Sequence, residues 1–566
     1  MLATLPKTIE GASGWTWDDM KPFYDDMLAR DLSKATLDEW MTDWTNLNNV
    51  IGEMFTRAAL ANSQNTADEQ AEAHYKFLMA EVYPPRAQAE NQMNKKLVDS
   101  GLTPDNFEIP LRKLRTDIEL FNEDNLPLAT QEQSLGMEYS KITGGQIVEW
   151  DGEEITLIQL QKAFEDNDRD RREKAWRLGM ERRLQDREAV NNTWSQLFDL
   201  RTQMATNAGY DNYRDYAWRL RKRFDYTPED AHTFHNAIEQ VVVPASLRAN
   251  ERRRERMGLD NLRPWDLSID PLSSEPLRPW ETIEDFASKA ETIFNKVDPQ
   301  LGEYYKILRD NDLLDLPNRK NKRPGAFCTR FPLQNVPFVF MNAVNVNGDV
   351  RTLLHEVGHA FHGFETRPLD YNLQRAYPIE FAEVASMAME LLAAPYLTKE
   401  HGGYYSEADA ARDRVQHLEK ILFFWPYMAV VDGFQHWAYT SGDVAKDPAN
   451  CDAKWAELWD RFIKIDYSGL EDIKATGWHR KQHIFRFPFY YIEYGLAQLG
   501  AVQVWANALE DQSKAVADYR SGLALGGTRS LPELFGATGA KFAFDAETLG
   551  NAVELIEKTV NEYDNV

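Results

Sequence analysis

Residues 352–364 read TLLHEVGHAFHGF. His355 and His359 stand four apart and Glu356 follows the first of them, while Leu353, Leu354, Val357, Ala360 and Phe361 recur at helical spacing. The pattern predicts a largely buried helix, with Asp349 as its N-cap behind the turn dipeptide Asn347-Gly348. On such a helix the two imidazoles lie one turn apart on one face and can reach a single ion. Glu356 is rotated from His355 by about 100° and stands beside that ion, the place for a base acting on a water activated by a metal. Two imidazoles and a carboxylate buried among apolar side chains are costly in desolvation, and a divalent cation offsets the cost.

A catalytic zinc site takes three protein ligands and leaves a fourth position open. His362 lies on the same helix but is rotated from the shared face, and the position six after His359, where a third histidine could stand, is Glu365. Downstream, AYPIEFAEVASMAMELL (376–392) predicts a second helix starting near Pro378, with Glu380, Glu383 and Glu390 set among apolar and small residues. Spacing alone leaves Glu380 and Glu383 as alternatives.

Upstream, AFCTRFPLQNVPFVFMNAVNVNGD (326–349) ends in a Val/Phe/Met-rich strand that runs into the motif. If its extended edge is free, Phe340, Met341, Asn342, Ala343 and Val344 are candidates to pair with a peptide main chain. QIVEWDGEEITL (146–157) predicts a hairpin turning at Asp151-Gly152. Elsewhere helical periodicity dominates, so the expected fold is mainly α, with a small β-sheet next to the HExxH helix. No repeat of 20 to 50 residues supports a solenoid. The proline-rich LRPWDLSIDPLSSEPLRPW (262–280) is the expected connection between two halves.

The 566 residues, 43 % hydrophobic and 12 % aromatic, suit a large body with an ample core. A net charge of −26 disfavours nucleic acid and anionic membranes as partners. The basic stretch RANERRRERMG (248–258) alternates with glutamates and reads as a solvated helix face. Two cysteines without paired spacing, Cys328 and Cys451, fit a reducing compartment. The first residues lack a basic, then apolar, leader, and ILFFWPYMAVV (421–431) is too short to span a bilayer, so the expected location is cytoplasmic.

HEVGH together with FAEVASMAME resembles the thimet-oligopeptidase superfamily of zinc peptidases. KRPGAFCTRF, PFVFMNAVNVNGDVRTLLHEVGHAFH, ITGGQIVEWDGEEITLIQLQKAFEDNDRDRREKAW and HIFRFPFYYIEYGLAQLG more specifically resemble oligoendopeptidase F, over nearly the whole chain. The resemblance implies a helical body of two lobes around a deep substrate channel, divided here as an N-terminal lobe over 1–190 and a catalytic region over 191–566. It implies one zinc ion per chain on His355, His359 and Glu383, selecting Glu383 over Glu380, with Glu356 as the base. Glu390 matches a family glutamate seven past the ligand and is given the role of orienting a ligand imidazole.

In the family, a histidine and tyrosines from the late segment bind substrate and stabilise the oxyanion. WHRKQHIFRFPFYYIEY supplies His483, Tyr490, Tyr491 and Tyr494, with Tyr494 the first choice and Tyr491 the second. Pro488 is expected to open a helix placing Tyr490 and Tyr494 on one face. The implied activity is endopeptidase hydrolysis of short unstructured peptides by a zinc metalloendopeptidase, a monomer or homodimer. The alternative is a carboxypeptidase or dipeptidyl carboxypeptidase, with Arg367, Arg375 or Arg486 holding the substrate C-terminus.

Overall fold

Valine, phenylalanine and methionine crowd residues 336–343, and this run forms the longest strand among the described residues. The computed structural model describes residues 4–273 and 275–563. Helix accounts for 70 % of it, and the strands are β1 (Ile147–Trp150), β2 (Glu153–Thr156), β3 (Leu314–Pro317), β4 (Phe327–Phe331) and β5 (Val336–Ala343). Mainly α is therefore the fold class, as the periodicity predicts.

The chain forms two compact units, each assembled from three stretches: Met1–Phe121, Leu277–Ala410 and Ala497–Phe542 in the first, Asn122–Pro276, Ala411–Leu496 and Ala543–Val566 in the second. The expected division at residue 190 is not where they part. Val190 is buried within the helix Arg187–Asn207 of the second unit, so the chain runs through that point inside one core. One of the places where the chain passes between the units is Pro276 to Leu277; in the stretch 262–280, Ser274 lies outside the described residues.

In the first unit the sheet order is β3-β5-β4, parallel between β3 and β5 and antiparallel between β4 and β5. β5 is thus the central strand. For Phe340 the expectation of a free edge is corrected, since it pairs with both Asp315 and Phe327; Ala343 pairs with Pro317 on the β3 side, and the β4 pairing ends at Phe340. Phe340, Met341 and Ala343 are buried, Asn342 is half-buried with its amide on the Arg323 and Gly325 carbonyls, and Val344 is exposed. The helix Leu37–Gln64 packs on β4. Its fully buried Glu53 accepts the backbone N–H groups of Leu333 and Gln334 at 2.9 and 3.0 Å, which fixes the turn from β4 to β5.

β5 leads into the motif helix Asn347–Glu365, which buries Leu353, Leu354, Val357, Ala360 and Phe361. Asp349 is not the N-cap; it stands in the first turn and turns back to accept from Val344 N and Val346 N at 2.9 and 3.0 Å. A helix Ile379–Ala393, capped by Pro378 as expected near that residue, packs along the motif helix. The two backbones meet at Gly358. A Cβ there would lie 2.7 Å from Ser386 Cα and 2.8 Å from the Ala385 oxygen, so only glycine allows this approach.

In the second unit, β1 and β2 pair antiparallel, with Asp151 and Gly152 at φ +55° and +84°, the left-handed pair a two-residue hairpin turn requires. Trp194 centres an aromatic core, its ring 5.5 to 6.2 Å from those of Phe198, Phe434, Tyr439, Trp478 and Phe485. Arg201 is buried beside it and donates to the Ile484 and Phe485 carbonyls at 2.9 and 2.5 Å, which pins the start of the late tyrosine segment. No helix among the described residues is long and apolar enough to cross a membrane.

Candidate metal centre

His355 and His359 present their imidazoles from one face of the motif helix, with ring centroids 4.9 Å apart and planes at 88°. Glu383 reaches them from the second helix: its Oε2 lies 3.3 Å from His355 Nε2 and 3.6 Å from His359 Nε2. Among the described residues this is the one cluster of three metal-ligating side chains, with ligand atoms all within 4.8 Å of one another. Donors bonded at about 2.0–2.2 Å around a tetrahedral ion are themselves separated by roughly 3.3–3.6 Å, so the donor set fits a zinc-sized cation.

The surroundings orient the three. His355 Nδ1 lies 2.8 Å from Glu390 Oε1, which leaves Nε2 for the centre. Ser386 Oγ donates to Glu383 Oε2 at 3.1 Å. Burial works against ionising Glu383, yet the imidazoles of His359 and His355 with the Ser386 hydroxyl hold its carboxyl at about 2. Glu356 is buried, and burial pushes its carboxyl up to about 7. The charges of Glu383 and Glu390 push the same way, while His355 and the backbone N–H of Cys328 pull back. A carboxyl poised there can take up and release a proton near neutral pH.

Glu380 is buried but stands outside the triad. Glu365 pairs with Arg520 at 2.7 Å, and His362 is fully buried with its ring stacked 3.5 Å from that of Tyr377, so neither joins the centre. The Cys328 N–H beside Glu356 had no local signal in the sequence, because strand pairing decides where it points. Pro337 has no N–H, so Arg330, its partner across β4 and β5, forms a pair without mutual hydrogen bonds, and so does Cys328 two residues earlier. The backbone groups of Cys328 and Arg330 therefore face the outer edge of β4. Ser386, by contrast, stands three residues after Glu383 on the same helix, a local spacing.

His483, Tyr490, Tyr491 and Tyr494 converge in the second unit. The His483 ring lies 4.9 Å from Tyr491, 5.7 Å from Tyr490 and 5.9 Å from Tyr494, and Tyr490 and Tyr494 are 4.9 Å apart. The helix opens at Tyr491 and not at Pro488, because Phe489 takes φ +63°, its N–H bound to Gln435 Oε1 at 2.7 Å. Lys481 donates to Tyr491 Oη, and Arg221 donates to the Pro488 carbonyl at 2.8 Å. Of the cations considered for a substrate C-terminus, Arg367 donates to the Asn335 carbonyl and Arg375 to that of Leu369, while Arg486 reaches Ser140 Oγ.

Sequence comparison decides the family: the pattern described as peptidase family M3 matches residues 163–552, and that of the peptidase M3 N-terminal domain matches residues 15–107. This chain belongs to peptidase family M3. Both clusters fall inside the longer M3 match.

The plasmid oligoendopeptidase F of Lactococcus lactis subsp. cremoris is 24 % identical over 347 residues, 60 % of this M3 chain and 56 % of that protein. The oligopeptidase PepF of Bacillus subtilis strain 168 is 23 % identical over 395 residues, 67 % of this chain and 57 % of that one. The M3 chain thus spans a little over half the length of these curated relatives. Among solved structures, PZ peptidase A with an inhibitor superposes with a TM-score of 0.89 at 25 % identity, covering 99 % of both chains. An X-ray structure assigned as oligoendopeptidase F gives 0.88 at 26 % over 96 % of both.

Proposed function

We propose that the chain is a zinc-dependent endopeptidase that hydrolyses internal bonds of short, unstructured peptides. The observation that carries this reading is the convergence of His355, His359 and Glu383, with the buried Glu356 next to His355 on the same helix. Membership of the M3 family and the similarity to proteins named oligoendopeptidase F support the peptide substrate.

A zinc ion held by His355, His359 and Glu383 supplies Lewis acidity to a water and to the scissile carbonyl. The chain's own residues do the rest. Glu356 accepts the proton of the attacking water on its carboxylate and delivers it to the leaving nitrogen, so the proton count closes within one turnover. The Cys328 N–H holds that carboxylate in place, and Glu390 holds the His355 ring. By resemblance to the family, His483 with Tyr494 or Tyr491 and Tyr490 are the candidate donors to an oxygen that gains charge as a carbonyl is attacked, a contribution commonly worth a few kcal/mol.

Substrate main chain pairs along β4, because β4 is a sheet edge and turns the Cys328 carbonyl and the backbone groups of Arg330 outward. Main-chain pairing of this kind tolerates varied side chains. We place the protein in the cytoplasm, consistent with two free cysteines.

The test is mass spectrometry of the products from a mixed peptide pool, with and without a chelator, including peptides amidated at the C-terminus. Internal cuts that vanish with the chelator and persist on amidated peptides support the reading. Cleavage that needs a free C-terminal carboxylate moves the chain to the exopeptidases.

A further inference from the structure

A second site lies in the second unit. A small cavity open to solvent is walled by Thr143, Met180, Arg183, Thr476, His479 and Arg480 among others. Two guanidinium groups share this cavity, and no carboxylate among the described residues pairs with either. Arg183 Nε is buried without a hydrogen-bond partner. Arg480 touches Met180 Sδ at 3.8 Å, the Tyr467 hydroxyl and the Trp459 ring at 6.0 Å, and its charged neighbours Arg183 and Lys481 are cations like itself.

The nearby acids are committed elsewhere. Asp186 accepts from Arg182 and from Gln146, each at 2.8 Å, while Asp452 and Asp472 accept from Arg187. His479 adds no charge, because its Nε2 faces Asn191 Oδ1 at 2.7 Å and burial, followed by the charge of Arg187, takes its pKa down to about 3. The Oε1 of Gln146, another wall residue, is buried and unpartnered, so the cavity holds an idle acceptor beside its idle donors.

Like charges crowd there at a price to the fold: burial first and Arg480 second push Arg183 down to about 10. Two arginines lining one cavity, with no carboxylate among the described residues paired to either, suit a planar or tetrahedral oxyanion.

We propose that this cavity binds a small oxyanion, a phosphate or carboxylate group, between the guanidinium groups of Arg183 and Arg480. Gln146 Oε1 accepts from a protonated oxygen of the ligand, which hydrogen phosphate carries. The site does not depend on the metal chemistry. It adjoins the segment that bears the tyrosines, Arg480 being the residue before Lys481.

The experiment titrates the full-length chain with inorganic phosphate, and separately with acetate, at ionic strength matched with sodium chloride, following thermal unfolding and calorimetric heat. Phosphate should raise Tm saturably over the chloride control. Arg183→Met and Arg480→Met should each weaken that affinity by about tenfold or more, as loss of a charged hydrogen-bonding partner does. An acetate effect at the same residues identifies a carboxylate source, and a phosphate effect alone a phosphate source. No saturable effect in the parent, or an undiminished one in both variants, overturns the proposal. Should the variants fail to fold, tungstate soaked into crystals of the parent gives a second reading: density between Arg183 and Arg480 supports the site, and density only elsewhere overturns it.

Discussion

Glu390 Oε1 sits 2.8 Å behind His355 Nδ1, while Glu383 Oε2 sits 3.3 Å in front of His355 Nε2. One imidazole is therefore gripped from both nitrogens, and the rear carboxylate fixes which nitrogen faces the centre. Glu390→Gln should lower metal affinity about 10- to 100-fold with the fold intact, the usual effect of removing such a partner. Competition with a graded series of chelators measures it; unchanged affinity would remove Glu390 from the site.

Glu356→Gln keeps the shape of the side chain and removes its basicity. Bound metal should stay at the parental level, while peptide turnover falls by roughly 10²–10⁴-fold. Elemental analysis alongside single-turnover kinetics separates the two, and near-parental turnover would assign the base elsewhere.

Gly358→Ala places a methyl group 2.7 Å from Ser386 Cα, against backbone with nowhere to go. The ligand-bearing helices must separate, so the variant should lose roughly 1–3 kcal/mol of stability, as overpacking does, and bind metal more weakly. Urea unfolding in the presence of a chelator isolates the packing effect.

Lys481 supplies a dependence on pH. Burial, then the charge of Arg480, brings its ammonium down to about 7, whereas in the unfolded chain it titrates near 10.4. Between those values the unfolded state holds the extra proton, so this residue's contribution to stability rises with pH from 7 toward 10 and is a penalty below 7. From pH 7 to pH 9 the parent should gain roughly 2 kcal/mol relative to Lys481→Met. Parallel unfolding slopes for the two proteins would contradict it.

The features legible in the sequence are those set by local spacing. The i, i+4 histidines and the Asp-Gly hairpin are examples, as is the helix at Pro378 with its three glutamates, since a dozen neighbouring residues fix each. What the sequence hid depends on partners far along the chain. β5 reads like an edge until Leu314–Pro317 pairs with one side and Phe327–Phe331 with the other. Asp349 reads like a helix cap until Val344 and Val346 turn their N–H groups toward it. Pro488 reads like a helix start, but the left-handed Phe489, held by Gln435, delays the helix to Tyr491. The units part in the same non-local way, each drawing on three stretches of chain.

His359 and Glu383 stand on separate helices joined by residues 366–378, which form neither helix nor strand. An ion gripped from both sides would act as a clasp across that joint as well as a reagent. Each helix keeps its own packing when the clasp is opened, so chelation should leave the circular dichroism of the chain almost unchanged. Amide exchange along the joint should then quicken, which ties the lifetime of the reactive arrangement to the residence time of its ion.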